Sequence, residues 1–433
     1  METRELLDAL GYTGSPNCLT GSELKHAPDY GHIFRRATEG AGLEAVYCLR
    51  APAPDWDAMA NVIPVSYVCQ AESFERADEI HRLVWNQNVV PFLIVLAPQG
   101  VRVYTGFERR EGASKRHHLL ESDFAEIRSR LDAVSSASID SGSVWDRLGD
   151  RVRPQGRVEW RLLEDLERLE KILAEEGLKE PPLVHTLIGK LLYLHYLRHR
   201  NILSDARLAK WDLTWPEVAS RTARTKAFSR LCANLDEWLN GSVFPLTSRM
   251  MSDIGADHLQ RAAAVFAGDS PDGQQHLAFD AYNFSYIPIE TLSVVYEQFL
   301  HLRLTASGKS VGRKRGAYYT PIPVVNFIID RMDEVKPLRL GMRVLDPACG
   351  SGAFLVQCYR KLIEDRFRST PSQQLRAPEL RDLLVKHIFG IDVDSEACRV
   401  AELSLLLTML DYIDLPDLTN TKFASSAESV GYG

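Results

Sequence analysis

The stretch from Met342 to Phe367, MRVLDPACGSGAFLVQCYRKLIEDRF, constrains what this chain can fold into more than any other. Arg343 to Leu345 reads as a short buried strand ending at Asp346-Pro347. Ala348-Cys349-Gly350-Ser351-Gly352 is then a loop, and Ala353 opens an amphipathic helix. Glycine at 350 and 352 lets the backbone turn sharply and approach a ligand where a Cβ would collide. The helix start behind the loop presents unpaired N–H groups. Asp346 at the strand end is placed to accept a hydrogen bond from a ligand, because ligands of open parallel sheets sit at the carboxyl ends of the strands. Position 355 is Leu, so the third glycine of GxGxxG is missing, which counts against a nicotinamide site. Cys349 and Ser351 have no His and acid set in the motif and read as small loop residues rather than nucleophiles.

A second strand-then-helix unit follows in HIFGIDVDSEACRVAELSLLLTML. Ile388 to Ile391 is prone to β structure, Asp392 lies at its end, and Asp394 or Ser395 can cap the next helix. An acid at the end of the second strand of such a unit commonly accepts from both ribose hydroxyls. Asp394 reads as a capping acid, Asp392 as a ligand. Upstream, RKRGAYYTPIPVVNFIIDRM is punctuated by Gly316 and Pro321, and Pro323 to Met332 has the spacing of an amphipathic helix. Arg303, Lys309, Arg313, Lys314 and Arg315 make a basic stretch ahead of it, either a solvated loop or a phosphate contact.

The complete string DPACGSGAFL resembles the cofactor loop of amino-type (adenine-N6) DNA methyltransferases of the restriction–modification and phage-defence kind. GAYYTP resembles the family's segment that folds over the methionine part of the cofactor. The resemblance implies S-adenosylmethionine as cofactor. It implies contacts from Tyr319 and Thr320, from Asp346, Ala348, Gly350 and Gly352, from Asp392 to the ribose, and from Val393 packing on adenine. Double-stranded DNA is the implied partner. The helices IPIETLSVVYEQFLHLRL and LIGKLLYLHYLRHRNIL also resemble the helical scaffold of the large members; periodicity alone makes them core helices.

The family's catalytic motif, Asn/Asp-Pro-Pro-Tyr/Phe, holds a base taken out of the stack. The only Pro-Pro here is Pro181-Pro182, between Glu180 and Leu183, where it starts a helix. No catalytic residue is therefore assigned. A truncated or split enzyme, inactive alone, is the expectation, its partner being a C-terminal methyltransferase half or a specificity or restriction subunit. A non-catalytic remnant or subunit that binds cofactor or partner is the alternative.

The 433 residues are too many for one core. The expected fold class is α/β. Residues 312–433 form the N-terminal part of an incomplete Rossmann-like S-adenosylmethionine-dependent methyltransferase domain. A helical domain (157–311) precedes it, then a linker (133–156) and a small N-terminal α/β domain (1–132). In that first domain EAVYCLRA and VIPVSYVCQ read as strands, SFERADEIHRLVWNQ as a helix capped by Ser73, and PFLIVLAPQGVRVYTGF as a hairpin turning at Gln99-Gly100. Its order faintly resembles a restriction-endonuclease core. No lysine lies between Lys25 and Lys115, however, so the metal-dependent site of such enzymes cannot be assembled in its usual form. Glu44 and Glu72 read as ordinary acids, and no metal is expected.

The remaining signals are weaker. No apolar run is long enough for a membrane span, and the acidic N-terminus does not suit a signal peptide. The 7 cysteines include no CxxC pair, which fits reduced thiols in a cytoplasm. The net charge of −7 leaves room for a local basic face.

Overall fold

The computed structural model describes residues 1–27, 30–50, 62–109, 118–239, 243–267, 282–301, 320, 322–369 and 376–413. The chain divides into two compact units, residues 1–162 with 281–288, and residues 163–280 with 289–433. Helices of eight residues or more are numbered in chain order.

The first unit is built on six strands: β1 (Cys18–Thr20), β2 (Leu43–Arg50), β3 (Val62–Gln70), β4 (Phe92–Ala97), β5 (Gly100–Thr105) and β6 (His118–Ser122), hydrogen-bonded in that order. Every pair is antiparallel except β3–β4. A parallel pair needs a crossover, and helix α3 (Phe74–Gln87) supplies it. Ser73 caps that helix as its sequence requires, accepting from the Arg76 N–H at 3.2 Å. Strand alternation divides the core in two. Leu93 and Val95 of β4 join α2 (Gly31–Ala41) and α3 on one face. Phe92, Ile94 and Leu96 join α1 (Thr3–Leu10) on the other.

Residues 133–156 do more than connect. Within them Val134, Ile139, Val144 and Leu148 are buried on that second face, in short helices. Their Ser- and Asp-rich composition suggested a linker because it caps and turns these short helices, as where Ser135 accepts from the Ser138 N–H. The hairpin turns one residue earlier than expected, with Ala97 opposite Gly100.

The second unit carries α4 (Val158–Glu175) from Leu163 onward, α5 (Pro181–His199), α6 (Thr225–Leu239), α7 (Ala256–Phe266) and α8 (Ile289–His301). Pro181-Pro182 open α5, as expected of residues that lack the N–H a first turn leaves unbonded. Helix α5 is buried all round from Leu183 to Leu197. That burial includes Lys190, whose Nζ lies 3.1 Å from Asp236 of α6.

Then come α9 (Ile322–Val335), β7 (Val344–Asp346), α10 (Ala353–Ser369), α11 (Ala377–His387), β8 (Ile388–Gly390) and α12 (Ser395–Asp411). Strands β7 and β8 pair in parallel. Strand β7 is not the buried strand its sequence suggests: Leu345 is 58% exposed, and in β8 Phe389 is 40% exposed. A parallel strand is buried by neighbours on both sides and helices on both faces. Among the described residues each of these has a single strand beside it.

Candidate cofactor site at the ends of two parallel strands

The register sets Val344 against Ile388, Leu345 against Phe389 and Asp346 against Gly390. Both chains therefore leave the sheet at the same edge. The ladder runs one step further, with Ile391 N–H donating to the Asp346 carbonyl (2.9 Å) and Cys349 N–H to the Ile391 carbonyl (3.0 Å). Two loops that could have diverged are thus tied together at their roots.

The carboxylates complete the tie. Asp346 Oδ1 accepts from the Ala348 N–H at 3.0 Å, bending the chain out of β7. Asp392 reaches across to the glycine loop, where its Oδ2 accepts from the Gly350 N–H at 2.9 Å, while Oδ1 accepts from the Asp394 N–H at 2.9 Å. Each carboxylate oxygen has two lone pairs, so Asp392 retains acceptor capacity for a ligand. Asp394 stands just before α12, where a capping acid belongs.

The glycines are required for different reasons. Gly350 has φ +52° and Gly352 φ +85°, in the left-handed region where a Cβ is strained. A Cβ on Gly352 would also lie 3.0 Å from the Ala401 Cβ of α12, whereas one on Gly350 would meet only Glu297 Oε1, at 3.7 Å. Gly390 is steric: its Cβ would lie 2.7 Å from Leu355 Cδ1 and 3.0 Å from Cys349 Sγ. Burial, then Cys398, Asp392 and Asp346 nearby, push the Cys349 thiol up to about 12. The thiolate is the nucleophilic form, so this is a packing cysteine.

A polar stripe on α8 flanks the loop. Glu290 accepts from Gln357 Nε2 (3.0 Å) and pairs with Arg360 Nε (3.0 Å) on α10. Ser293 Oγ lies 2.6 Å from Ser404 Oγ of α12, which in turn donates to the Ser351 carbonyl at 3.2 Å. Glu297, 8% exposed, stands beside Gly350. Arg360 continues to Asp411 (3.7 Å), which also receives Arg200 and the Tyr196 hydroxyl of α5. Beside the loop lies a shallow recess, little more than a water molecule in size, lined by Glu290, Ser293, Val294, Ile322, Ser351, Ala353 and Val356. Sequence reasoning took α8 as a core helix and missed this stripe. The signal was present: Glu290, Ser293 and Glu297 fall at helical spacing in an otherwise apolar run.

Of the residues expected to hold a cofactor, Asp346, Ala348, Gly350, Gly352, Asp392 and Val393 gather at this strand edge. Val393 is fully exposed. Thr320 is half-buried and lies two residues before Ile322, which lines the recess. Tyr319, Pro321 and the basic residues Arg303, Lys309, Arg313, Lys314 and Arg315 lie outside the described residues. Among the described residues no group of three His, Cys, Asp or Glu is arranged to hold a metal ion. Nor is any described helix long and apolar enough to cross a membrane.

Two parallel strands release a glycine loop and an acid at one edge, each backed by a helix, the arrangement in which open parallel sheets hold ligands at the carboxyl ends of their strands. Residues 288–426 match the family model described as N-6 DNA Methylase, the family its motifs resemble. The chain is 31% identical over 98 residues to a type I restriction enzyme methylase subunit of Escherichia coli, covering 23% of this chain and 16% of that protein. It is 31% identical over 174 residues to another such subunit, of Methanocaldococcus jannaschii, covering 39% and 27%. A type II restriction enzyme and methyltransferase of Escherichia coli is 25% identical over 288 residues, covering 58% and 26%. The chain thus spans only 16–27% of the length of these relatives. Among solved structures, a modification subunit of a putative type I restriction enzyme from Vibrio vulnificus is 19% identical. That similarity covers 57% of this chain and 54% of that one, with a TM-score of 0.32.

Proposed function

We propose that this chain is the cofactor-binding portion of a DNA methyltransferase of the restriction–modification kind. Its methyl donor is S-adenosylmethionine and its target is adenine N6 in double-stranded DNA. The observation that carries the reading is the tie between the two strand ends, where Asp392, two residues past β8, holds Gly350 of the loop that follows β7. This is the geometry a nucleoside needs, with an acid for the ribose and bare backbone for close approach. The N-6 DNA Methylase match over the same residues supports it.

In this reading Asp392 keeps free lone pairs for the ribose hydroxyls, and Val393 lies against the adenine. Gly350, Gly352 and Ala348 admit the nucleoside close to the main chain. Asp346, Tyr319 and Thr320 serve the methionine end. The cofactor supplies a methyl group on a sulfonium. These residues bind and orient it and perform no proton transfer. The base-holding motif is to come from outside this chain, from a C-terminal methyltransferase half, and a specificity or restriction subunit is a further partner. A cytoplasmic location goes with this function.

Calorimetry of the full chain with S-adenosylmethionine tests the reading. Binding is expected for the wild type and a loss of about tenfold or more for Asp392→Ala, since hydrogen bonds to charged groups each contribute about 1.5–3 kcal/mol. Equal affinity in the two proteins would remove Asp392 from the site.

The exposed apolar side chains of Leu345, Phe389, Ile391 and Val393 favour a second reading, a non-catalytic subunit that binds cofactor and presents this edge to a partner. Methyl transfer to duplex DNA by the chain alone would exclude it.

A further inference from the structure

Helix α12 meets the glycine loop with a hydroxyl that the family resemblance did not assign. We propose that Ser404 is a positioning residue for the cofactor. Together with Ser293 of α8 it fixes the peptide unit between Ser351 and Gly352, and so the bare backbone that the nucleoside approaches. This rests on the cofactor reading above.

A serine inside a helix commonly returns its hydroxyl to the carbonyl four residues back, and Ser404 does so to Val400 at 2.6 Å. Thr408, one turn on, does the same to the Ser404 carbonyl at 2.7 Å. What sets Ser404 apart is two further partners. Its Oγ lies 2.6 Å from Ser293 Oγ and 3.2 Å from the Ser351 carbonyl. Ser293 has a back-bond of its own, to the Ile289 carbonyl at 2.7 Å. Two hydroxyls thus bring two hydrogens to three carbonyls and to each other. When Ser293 gives its hydrogen to Ser404, the Ser404 hydrogen is shared between Val400 and Ser351, and the loop is joined to both helices. All three serines are buried, where a polar group left unbonded is costly.

The peptide that Ser404 holds by its carbonyl is held by its N–H as well, since Gly352 donates to the Cys349 carbonyl at 2.8 Å. Ala401, one turn before Ser404 on α12, stands against the same peptide, 3.0 Å from where a Cβ on Gly352 would lie. The two preceding amides are tied to the other strand end, Cys349 to the Ile391 carbonyl and Gly350 to Asp392. A binding site needs its contacting groups held to within about 0.5 Å by residues that are themselves locked in place. Asp392 supplies that hold from β8, and Ser404 supplies it from α12.

Calorimetry with S-adenosylhomocysteine and hydrogen–deuterium exchange, both on the full chain, test the assignment. Ser404→Ala is expected to bind about fivefold or more weakly, the order of effect of one hydrogen bond. Its loop, residues 346–354, should exchange faster while the rest of α10 and α11 keep their protection. Ser293→Ala should repeat this pattern in smaller measure, and the double variant should lose no more than Ser404→Ala alone, because the two hydroxyls act as one relay. Thr408→Val removes a buried hydroxyl from the same helix without touching the loop, and is expected to match wild type in both readouts. Wild-type affinity in Ser404→Ala overturns the proposal, and so does equal weakening by Thr408→Val. Faster exchange spread evenly over α10, α11 and α12 overturns it too, because the hydroxyl would then only support the core. Should Ser404→Ala fail to fold, Ser293→Ala decides: affinity and loop exchange unchanged from wild type overturn the proposal. Wild type binding no S-adenosylhomocysteine overturns the cofactor reading and this role with it, an outcome distinct from the others, in all of which wild type binds.

Discussion

Replacing Gly352 with Ala separates two physical costs that the glycine loop combines. At φ +85° an added Cβ puts an L residue into the left-handed region, at about 1–2 kcal/mol. The same Cβ would lie 3.0 Å from Ala401 Cβ and 3.1 Å from Ala401 Cα. Optimal carbon contacts fall at about 3.5–4.0 Å, and overpacking of this kind costs about 1–3 kcal/mol. The expected total is about 2–5 kcal/mol. Gly350→Ala is the internal control: its φ is +52°, but its Cβ would make only an ordinary contact, 3.7 Å from Glu297 Oε1, so only the backbone cost of about 1–2 kcal/mol applies. Ala401→Gly supplies the second control. In a double-mutant cycle it should return part of the steric cost to Gly352→Ala, the Cβ contact but not the one with the 401 Cα, and nothing to Gly350→Ala. Denaturant midpoints at constant slope read these differences. Equal costs for the two glycines, or no recovery with Ala401→Gly, would refute the argument that α12 presses on the loop at 352.

Further outcomes follow from buried charge. Lys190 is fully buried against Asp236, so Asp236→Asn should destabilise by about 3–5 kcal/mol, the cost of stranding a charge. Lys190→Met, which leaves a partly exposed acid, should cost less; the reverse order in thermal unfolding would contradict the pairing. Burial, and then His199 nearby, lower His195 to about 3. Its folded value lies below its unfolded one of about 6.5, so the unfolded state binds the extra proton between those limits, and stability falls as pH falls through that window. From pH 7 to pH 5 this residue should remove about 2 kcal/mol, and His195→Phe should flatten that part of the profile. A slope unchanged in the variant would show that His195 is not responsible.

How much of this was legible beforehand differs by element. Helix α5 was readable from Pro181-Pro182, and α3 from Ser73, because caps and helix starts are local backbone chemistry. The glycine loop was readable for the same reason, since the φ values at 350 and 352 are ones that glycine alone adopts without strain. The stretch 133–156 was misread because serine and aspartate serve short capped helices as well as linkers, and only the buried Val134 and Leu148 distinguish them. Glu297 was hidden among apolar neighbours at core spacing, and nothing within its own helix says what it faces.

The sequence by itself determined where the chain turns, where helices start, that Asp346 ends a strand and that Asp392 closely follows one, because those properties depend on residues adjacent in the chain. The tertiary structure decided that β7 and β8 pair in register, that Asp392 crosses to Gly350 forty-two residues away, and that α8 brings Glu297 to the same loop. Contacts between distant segments depend on packing and pairing, which local conformational preference does not encode.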